Sequence, residues 1–157
     1  MMVSVEESTK IIDRIDETPG AAPRYIIEVF NNINGTYYSS KLINRRNTEL
    51  GHFTIHEHYD KFRMLEMTIG IDENYQGKGH AKGLINKLCI YLIENCPAKF
   101  NNKNVYIDAD GSGGFWDKIG MKENDEFCSR PDNYEGKGYE KYIPFVNLAK
   151  WGGINIY

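Results

Sequence analysis

The sequence predicts an α+β, or mixed α/β, architecture built on a single sheet. Three observations carry that prediction. Four consecutive segments between Arg24 and Ile71 read as strands, the period then changes to one long amphipathic run from His80 to Glu94, and short strand and helix segments follow. With 157 residues the chain has the length of one ordinary domain. Residues 1–20 are set apart as a polar N-terminal tail, and residues 21–157 are taken as the single domain.

Taken in order, Ser8, Ile11, Ile12 and Ile15 suit a short helical turn in the tail, and Thr18-Pro19-Gly20 would end it. Tyr25 to Phe30 reads as a strand, Asn34-Gly35 as a hairpin turn because both residues tolerate positive φ, and Tyr37 to Asn44 as the returning strand. Asn34-Gly35-Thr36 is also a glycosylation sequon. No signal peptide is recognised at the start, so the turn reading is preferred. Leu50 to Tyr59 alternates, with Phe53, Ile55 and Tyr59 on one face and His52, Thr54, His56 and His58 on the other. Three histidines on one face raise a metal hypothesis, but residues two apart stand about 6.6 Å apart along a strand. No cysteine or carboxylate partner is evident in the sequence, so no metal is expected and a half-exposed sheet face is the reading.

Arg63 to Ile71 follows as the fourth strand, with Leu65, Met67, Ile69 and Ile71 on one side and Met64, Glu66, Thr68 and Gly70 on the other. Up to this point the chain is an antiparallel meander. Ala81, Leu84, Ile85, Leu88, Cys89, Leu92 and Ile93 then recur at helical spacing until Cys96-Pro97. Cys89 falls on this apolar stripe and is assigned to packing. Asn104 to Ala109 is expected as the fifth strand, Ser112 to Ile119 as a short helix stopped by Gly120, and Met121 to Cys128 and Gly138 to Phe145 as the last two strands.

Composition narrows the function classes. Apolar runs never reach the roughly 20 residues of a membrane span, so no membrane association is expected. Nineteen basic against 22 acidic residues leave a net charge of −3, which gives no basis for nucleic-acid binding. Three cysteines are too few and too scattered for a disulfide framework, and a cytoplasmic, reduced setting is expected.

The chemistry lies in Ile69 to Leu84, where a strand enters a glycine-rich turn and then the only long helix. The unsatisfied N–H groups and positive dipole end of such a helix favour an anion such as phosphate. Gly77 and Gly79 admit close approach of a ligand to the backbone, and Lys78, His80 and Lys82 add positive charge. The spacing Gly77-x-Gly79-x-x-x-Gly83 fits neither the dinucleotide fingerprint nor a Walker loop. A plain strand-to-helix turn is the competing reading.

Gln76-Gly77-Lys78-Gly79-His80-Ala81 resembles the Arg/Gln-x-x-Gly-x-Gly/Ala signature of the GNAT superfamily of N-acetyltransferases. Phe115-Trp116-Asp117-Lys118-Ile119-Gly120-Met121 is similar to that family's aromatic-aromatic-x-Lys-x-Gly-Phe block, and the two blocks stand in the family's order. The resemblance covers roughly Arg63 to Cys128. It implies a GNAT-like single mixed, mostly antiparallel sheet of six to seven strands flanked by helices and splayed between the fourth and fifth strands. It also implies acetyl-CoA as co-substrate, with the pyrophosphate on the backbone from Gln76 through Gly77, Lys78, Gly79, His80 and Ala81 to Lys82. The pantetheine arm would lie along Ile69, Gly70 and Ile71, one of whose N–H groups would polarise the thioester carbonyl.

The implied activity is direct acetyl transfer to a primary amine. Such an amine has a pKa of about 10 and needs a base, acting directly or through water. Glu66 is the first candidate, on the face of Gly70 and about 13 Å from it along the strand. Asp108 is the second, with Asp110 close behind. Trp116 stands where the family often has a tyrosine that protonates the leaving thiolate, and its indole cannot do so. Trp116 is therefore assigned to packing on the pantetheine arm, and Tyr106 is a substitute for the acid. The acceptor is expected to be a small-molecule or protein amine, with a small cationic amine favoured by the carboxylates near the splay. A homodimer is left open. The competing class is a non-catalytic CoA-binding or interaction module on the same fold.

Overall fold

The computed structural model describes residues 24–59, 63–107, 118–123 and 141–155, together with the backbone of residues 8–15. Five strands come first: β1 (Ser8–Ile15), β2 (Arg24–Asn32), β3 (Gly35–Ile43), β4 (Glu49–His58) and β5 (Leu65–Ile71). A 3-10 turn (Glu73–Tyr75) leads into α1 (His80–Asn95) and α2 (Pro97–Phe100). The chain continues through β6 (Asn104–Ile107), β7 (Lys122–Glu123), β8 (Lys141–Pro144) and α3 (Phe145–Trp151). Among the described residues the sheet has eight strands in the order β1-β2-β3-β4-β5-β6-β8-β7. Its one parallel pair is β5 with β6, and every other neighbour is antiparallel. This is the mixed, mostly antiparallel sheet that the sequence implies.

Two expectations change. Ser8–Ile15 is not a helical turn but a strand, paired with β2 from Ser8↔Asn31 to Ile15↔Tyr25 around an irregularity between Ile11 and Asp13. A helix of that length is marginal alone, whereas the free edge of β2 offers a full ladder of hydrogen bonds. The strand count consequently exceeds six to seven. The hairpin turn is Ile33-Asn34 instead of Asn34-Gly35, since Asn32 pairs with Gly35 and Gly35 opens β3. Glycine is required there by space: a Cβ on Gly35 would run into the Glu57 carbonyl oxygen and lie 2.5 Å from His56 Nε2.

Alternation divides the sheet into two unlike faces. Tyr38, Leu42, Phe53, Ile55, Leu65 and Met67 point to one side, where they bury against Leu84, Ile85, Leu88 and Leu92 of α1 and Phe145 and Leu148 of α3. The buried Ser40 donates its hydroxyl to the Leu84 carbonyl at 2.7 Å, which fixes α1 on β3. Cys89 is fully buried in this layer, and burial pushes its thiol up to about 12. It is a packing residue, as its place on the apolar stripe predicts. The other face carries Tyr37, Ser39 and Lys41 of β3, His52, Thr54, His56 and His58 of β4, and Glu66 of β5, most of them half-exposed. No described helix is long and apolar enough to cross a membrane.

Candidate functional site

β5 lies in the middle of the sheet, between β4 and β6. Among the described residues, β5 pairs with β6 at Leu65↔Val105 and Glu66↔Tyr106, and with β4 along its whole length. Asp72 N–H donates to the Leu50 carbonyl at 2.7 Å, and this sets the alternation along the strand. Glu66, Thr68 and Gly70 therefore direct their backbone groups toward β4, and Met67, Ile69 and Ile71 direct theirs to the side away from β4. Of the three residues expected along the pantetheine arm, Ile69 and Ile71 thus present donors there, while the Gly70 N–H belongs to the β4 ladder. Gly70 serves the opposite face, where a Cβ would come within 3.0 Å of His52 Cε1.

β5 leads through the 3-10 turn to the glycine bend. Gly77 and Gly79 have φ of 74° and 82°, in the left-handed region, and a Cβ at either would meet nothing within 4 Å. Gly79 is the N-cap of α1 and contributes no side-chain bond, and the first turn holds no acidic residue. Ser, Thr, Asp or Asn ordinarily fills that position and satisfies the first amides. Here the first helical bond runs from Gly83 N–H to the Gly79 carbonyl at 3.1 Å, so the amides of His80, Ala81 and Lys82 precede the ladder. Lys78 and Lys82 are exposed beside them.

Gln76 behaves differently from its neighbours. Its amide donates to the Glu73 carbonyl at 3.4 Å, and its side-chain Nε2 donates to the Ile71 carbonyl at 3.0 Å, at the end of β5. Gln76 holds the bend against the end of β5. His80 is positioned by Tyr25 of β2, whose hydroxyl lies 3.0 Å from His80 Nδ1. The Tyr25 ring is also the reason for the third glycine, because a Cβ on Gly83 would collide with its hydroxyl and lie 2.9 Å from Cζ.

At the start of β5, where it pairs with β6, Glu66 is one-quarter exposed and its Oε1 forms a 2.9 Å hydrogen bond with His58 Nε2. Tyr106, 6% exposed, stands opposite Glu66 in the parallel pair, so both side chains rise on the same face. His56 is directly opposite Glu66 on β4. One ring nitrogen from each of His56 and His58 and one oxygen of Glu66 lie within 4.8 Å of one another. The carboxylate partner that the sequence did not reveal is thus supplied across the β4–β5 ladder. The 6.6 Å spacing is overcome by the rings, whose centroids are 3.9 Å apart. Asp108, Asp110 and Trp116 lie outside the described residues.

The structure therefore brings Glu66, Ile69 and Ile71 onto one strand that ends in the bend of Gln76 to Lys82. His58, His56 and Tyr25 are neighbours of that site that sequence reasoning did not assign to it. For the histidines a signal was available: β4 and β5 are consecutive antiparallel strands, and equal steps back from their connection put His56 opposite Glu66. Further along the open face, burial works against the Lys41 ammonium. Its contacts with Glu28 at 2.7 Å and Glu49 at 3.5 Å outweigh that cost and hold its pKa above the usual lysine value. At that end of the face Glu28 and Glu49 are both paired with Lys41.

No protein-family model matches the sequence, and no curated protein matches it significantly. Among solved structures, the chain is similar to a protein of Exiguobacterium sp. 255-15 provisionally named an acetyltransferase. The identity is 9% and the TM-score 0.49, with 73% of this chain and 66% of that one covered. It is also similar to mutant forms of the spermidine/spermine N-acetyltransferase SpeG from Vibrio cholerae, at 16% identity and TM-score 0.46, covering 73% and 67%. A third is a spermidine N-acetyltransferase chimera of Vibrio cholerae SpeG and hSSAT, at 16% identity and TM-score 0.45, covering 71% and 69%. The match to the first of these spans just under two thirds of that protein's length, at 66%. The functional reading rests on the geometry of the site itself.

Proposed function

We propose that this chain is an acetyl-CoA-dependent N-acetyltransferase of the GNAT superfamily, acting on a primary amine by direct transfer. The observation that carries the reading is the uncapped, glycine-lined start of α1, which follows on β5, a strand whose Ile69 and Ile71 turn their main-chain donors away from β4. Acetyl-CoA fits such a site as substrate: a diphosphate suits the amides of His80 to Lys82 with Lys78 beside them, and an extended amide-bearing arm suits the main-chain donors of Ile69 and Ile71. Gly77 and Gly79 leave the space above the bend open, and Gln76 fixes the bend to β5.

In this reading the N–H of Ile69 or Ile71 donates to the thioester carbonyl oxygen and stabilises the charge that grows on it during attack. Glu66 takes the proton of the attacking amine, directly or through water. Its hydrogen bond to His58 orients it, and such a base is worth about 10²–10⁴ in rate. Tyr106, across the strand pair from Glu66, is the hydroxyl assigned to returning a proton to the thiolate. The carboxylate on the open face favours a small cationic amine as acceptor.

The test is release of free thiol from acetyl-CoA in the presence of a panel of polyamines, aminoglycosides and lysine peptides, beside calorimetric binding of CoA. Amine-dependent release supports the enzyme. Saturable CoA binding without release for any amine overturns it in favour of the non-catalytic module.

A further inference from the structure

We propose that His56, His58 and Glu66 form a binding site for a single zinc ion, and that zinc there withdraws Glu66 from proton transfer. The second half rests on the transferase reading above; the first half does not. Two imidazoles and one carboxylate make a donor set that suits a borderline divalent cation, with zinc at neutral pH the best match for three protein ligands plus one exchangeable position. The placement is a product of the sheet. His56 and His58 are alternate residues of β4 on one face, and Glu66 of β5 is the cross-strand partner of His56. All three are half-buried.

The donors already stand near coordinating distance. All ligating atoms lie within 4.8 Å of one another, and His58 Nε2 is 2.9 Å from Glu66 Oε1. A tetrahedral zinc with bonds of about 2.0–2.1 Å places its ligands roughly 3.3 Å apart, so closure asks the three side chains to draw together. The ring of Tyr37 stacks on His56 with centroids 4.0 Å apart and restrains the plane from which it would coordinate. An independent observation supplies the open position: a pocket of about 370 Å³, lined by Ile33, Asn34, Tyr37, His56, His58 and Tyr59, opens onto both imidazoles. A solvent ligand can enter there, as an exchangeable zinc position requires.

Zinc and an amine proton would compete for the same carboxylate, so the metal-loaded chain is predicted to bind CoA normally and turn over poorly. The experiment uses the full chain stripped with EDTA and titrated with Zn²⁺ by calorimetry and with Co²⁺ by visible absorption. The expected result is one equivalent bound, tetrahedral Co²⁺ bands bleached by zinc, and affinity lowered at least about 100-fold by His56→Ala, His58→Ala or Glu66→Gln. His52→Ala, on the same face but outside the triad, is expected to bind as the parent does. Far-ultraviolet dichroism and the metal-free melting temperature identify any variant that fails to fold, and His58→Gln then replaces the alanine variant. No saturable zinc binding, or binding unchanged in all three variants, overturns the site and leaves the transferase reading standing. Zinc bound at the triad without loss of amine-dependent thiol release keeps the site and overturns the withdrawal of Glu66.

Discussion

Replacing Gly83 by alanine sets a methyl group against the hydroxyl of Tyr25, with Cζ 2.9 Å and Cε1 3.4 Å from the new Cβ. The crowded atoms belong to a ring clamped between β2 and α1, not to a flexible tail, so either the ring or the start of the helix must move. Overpacking of this kind costs about 1–3 kcal/mol. Alanine returns about 1 kcal/mol over glycine within a helix. The net expectation is a loss of up to about 2 kcal/mol, where helix propensity alone predicts a gain. The partner variant Tyr25→Phe removes the crowded hydroxyl together with its 3.0 Å contact to His80, and by itself should cost about 0.5–1.5 kcal/mol. In the double variant alanine should do much less harm, giving a favourable coupling of about 1 kcal/mol. Urea unfolding of the four proteins measures the cycle, and CoA affinity reports whether the helix start has shifted. If Gly83→Ala is stabilising in the parent chain and additive with Tyr25→Phe, Tyr25 does not set the seat of α1 and the reasoning is wrong.

At the bend, Gly79→Val should weaken acetyl-CoA affinity strongly and cost about 1–2 kcal/mol because the residue is left-handed, whereas Gly79→Asn should be tolerated; equal behaviour in calorimetry would contradict the φ of 82°. Glu66→Gln is expected to lower kcat by about 10²–10⁴ with little change in KM for acetyl-CoA, and steady-state kinetics with unchanged kcat would remove it from the base role. The Cys89 thiol, pushed up to about 12 by burial, stays protonated in the fold after the unfolded chain's thiols begin to ionise near pH 9. Proton loss then favours the unfolded chain, so stability falls as pH rises, by about 2 kcal/mol from this group alone between pH 9 and 11. Burial, followed by the nearby Glu57, raises the Tyr38 phenol in the same direction. A flat stability profile in alkaline denaturant titrations would refute this, and Cys89 should resist iodoacetamide more than the half-buried Cys96.

The meander from β2 to β5 and the helix α1 were legible because each is encoded by a period inside one contiguous stretch. The segment of β1 was misread since Ile11, Ile12 and Ile15 satisfy helical spacing, and nothing local records that the edge of β2 is free. The turn moved by one residue for a tertiary reason, the crowding of Gly35 by Glu57 and His56. The last helix was overlooked although Phe145, Leu148 and Ala149 carry the three-and-four spacing, because a seven-residue helix directly after a strand reads as that strand's continuation. Within the site, the glycine bend was legible from residue type and order. The gathering of His56, His58 and Glu66 was not, since it arises from strand register, and only pairing the two strands on paper would have revealed it.

Ser40 bolts α1 to β3, Gln76 bolts the bend to β5, and Glu66 occupies the same strand five residues upstream of Ile71. In the proposed reading, the span between the bend that takes the diphosphate and the carboxylate that takes the proton is therefore metered in whole residues, about 3.3 Å apiece, like graduations on a ruler. Adding two residues to β5 would keep every side chain facing its proper side yet lengthen the gauge by about 7 Å, and adding one would invert the faces altogether. Which carriers have an arm of fitting length is thereby decided by the count of strand residues, and no rearrangement of surface loops can retune it.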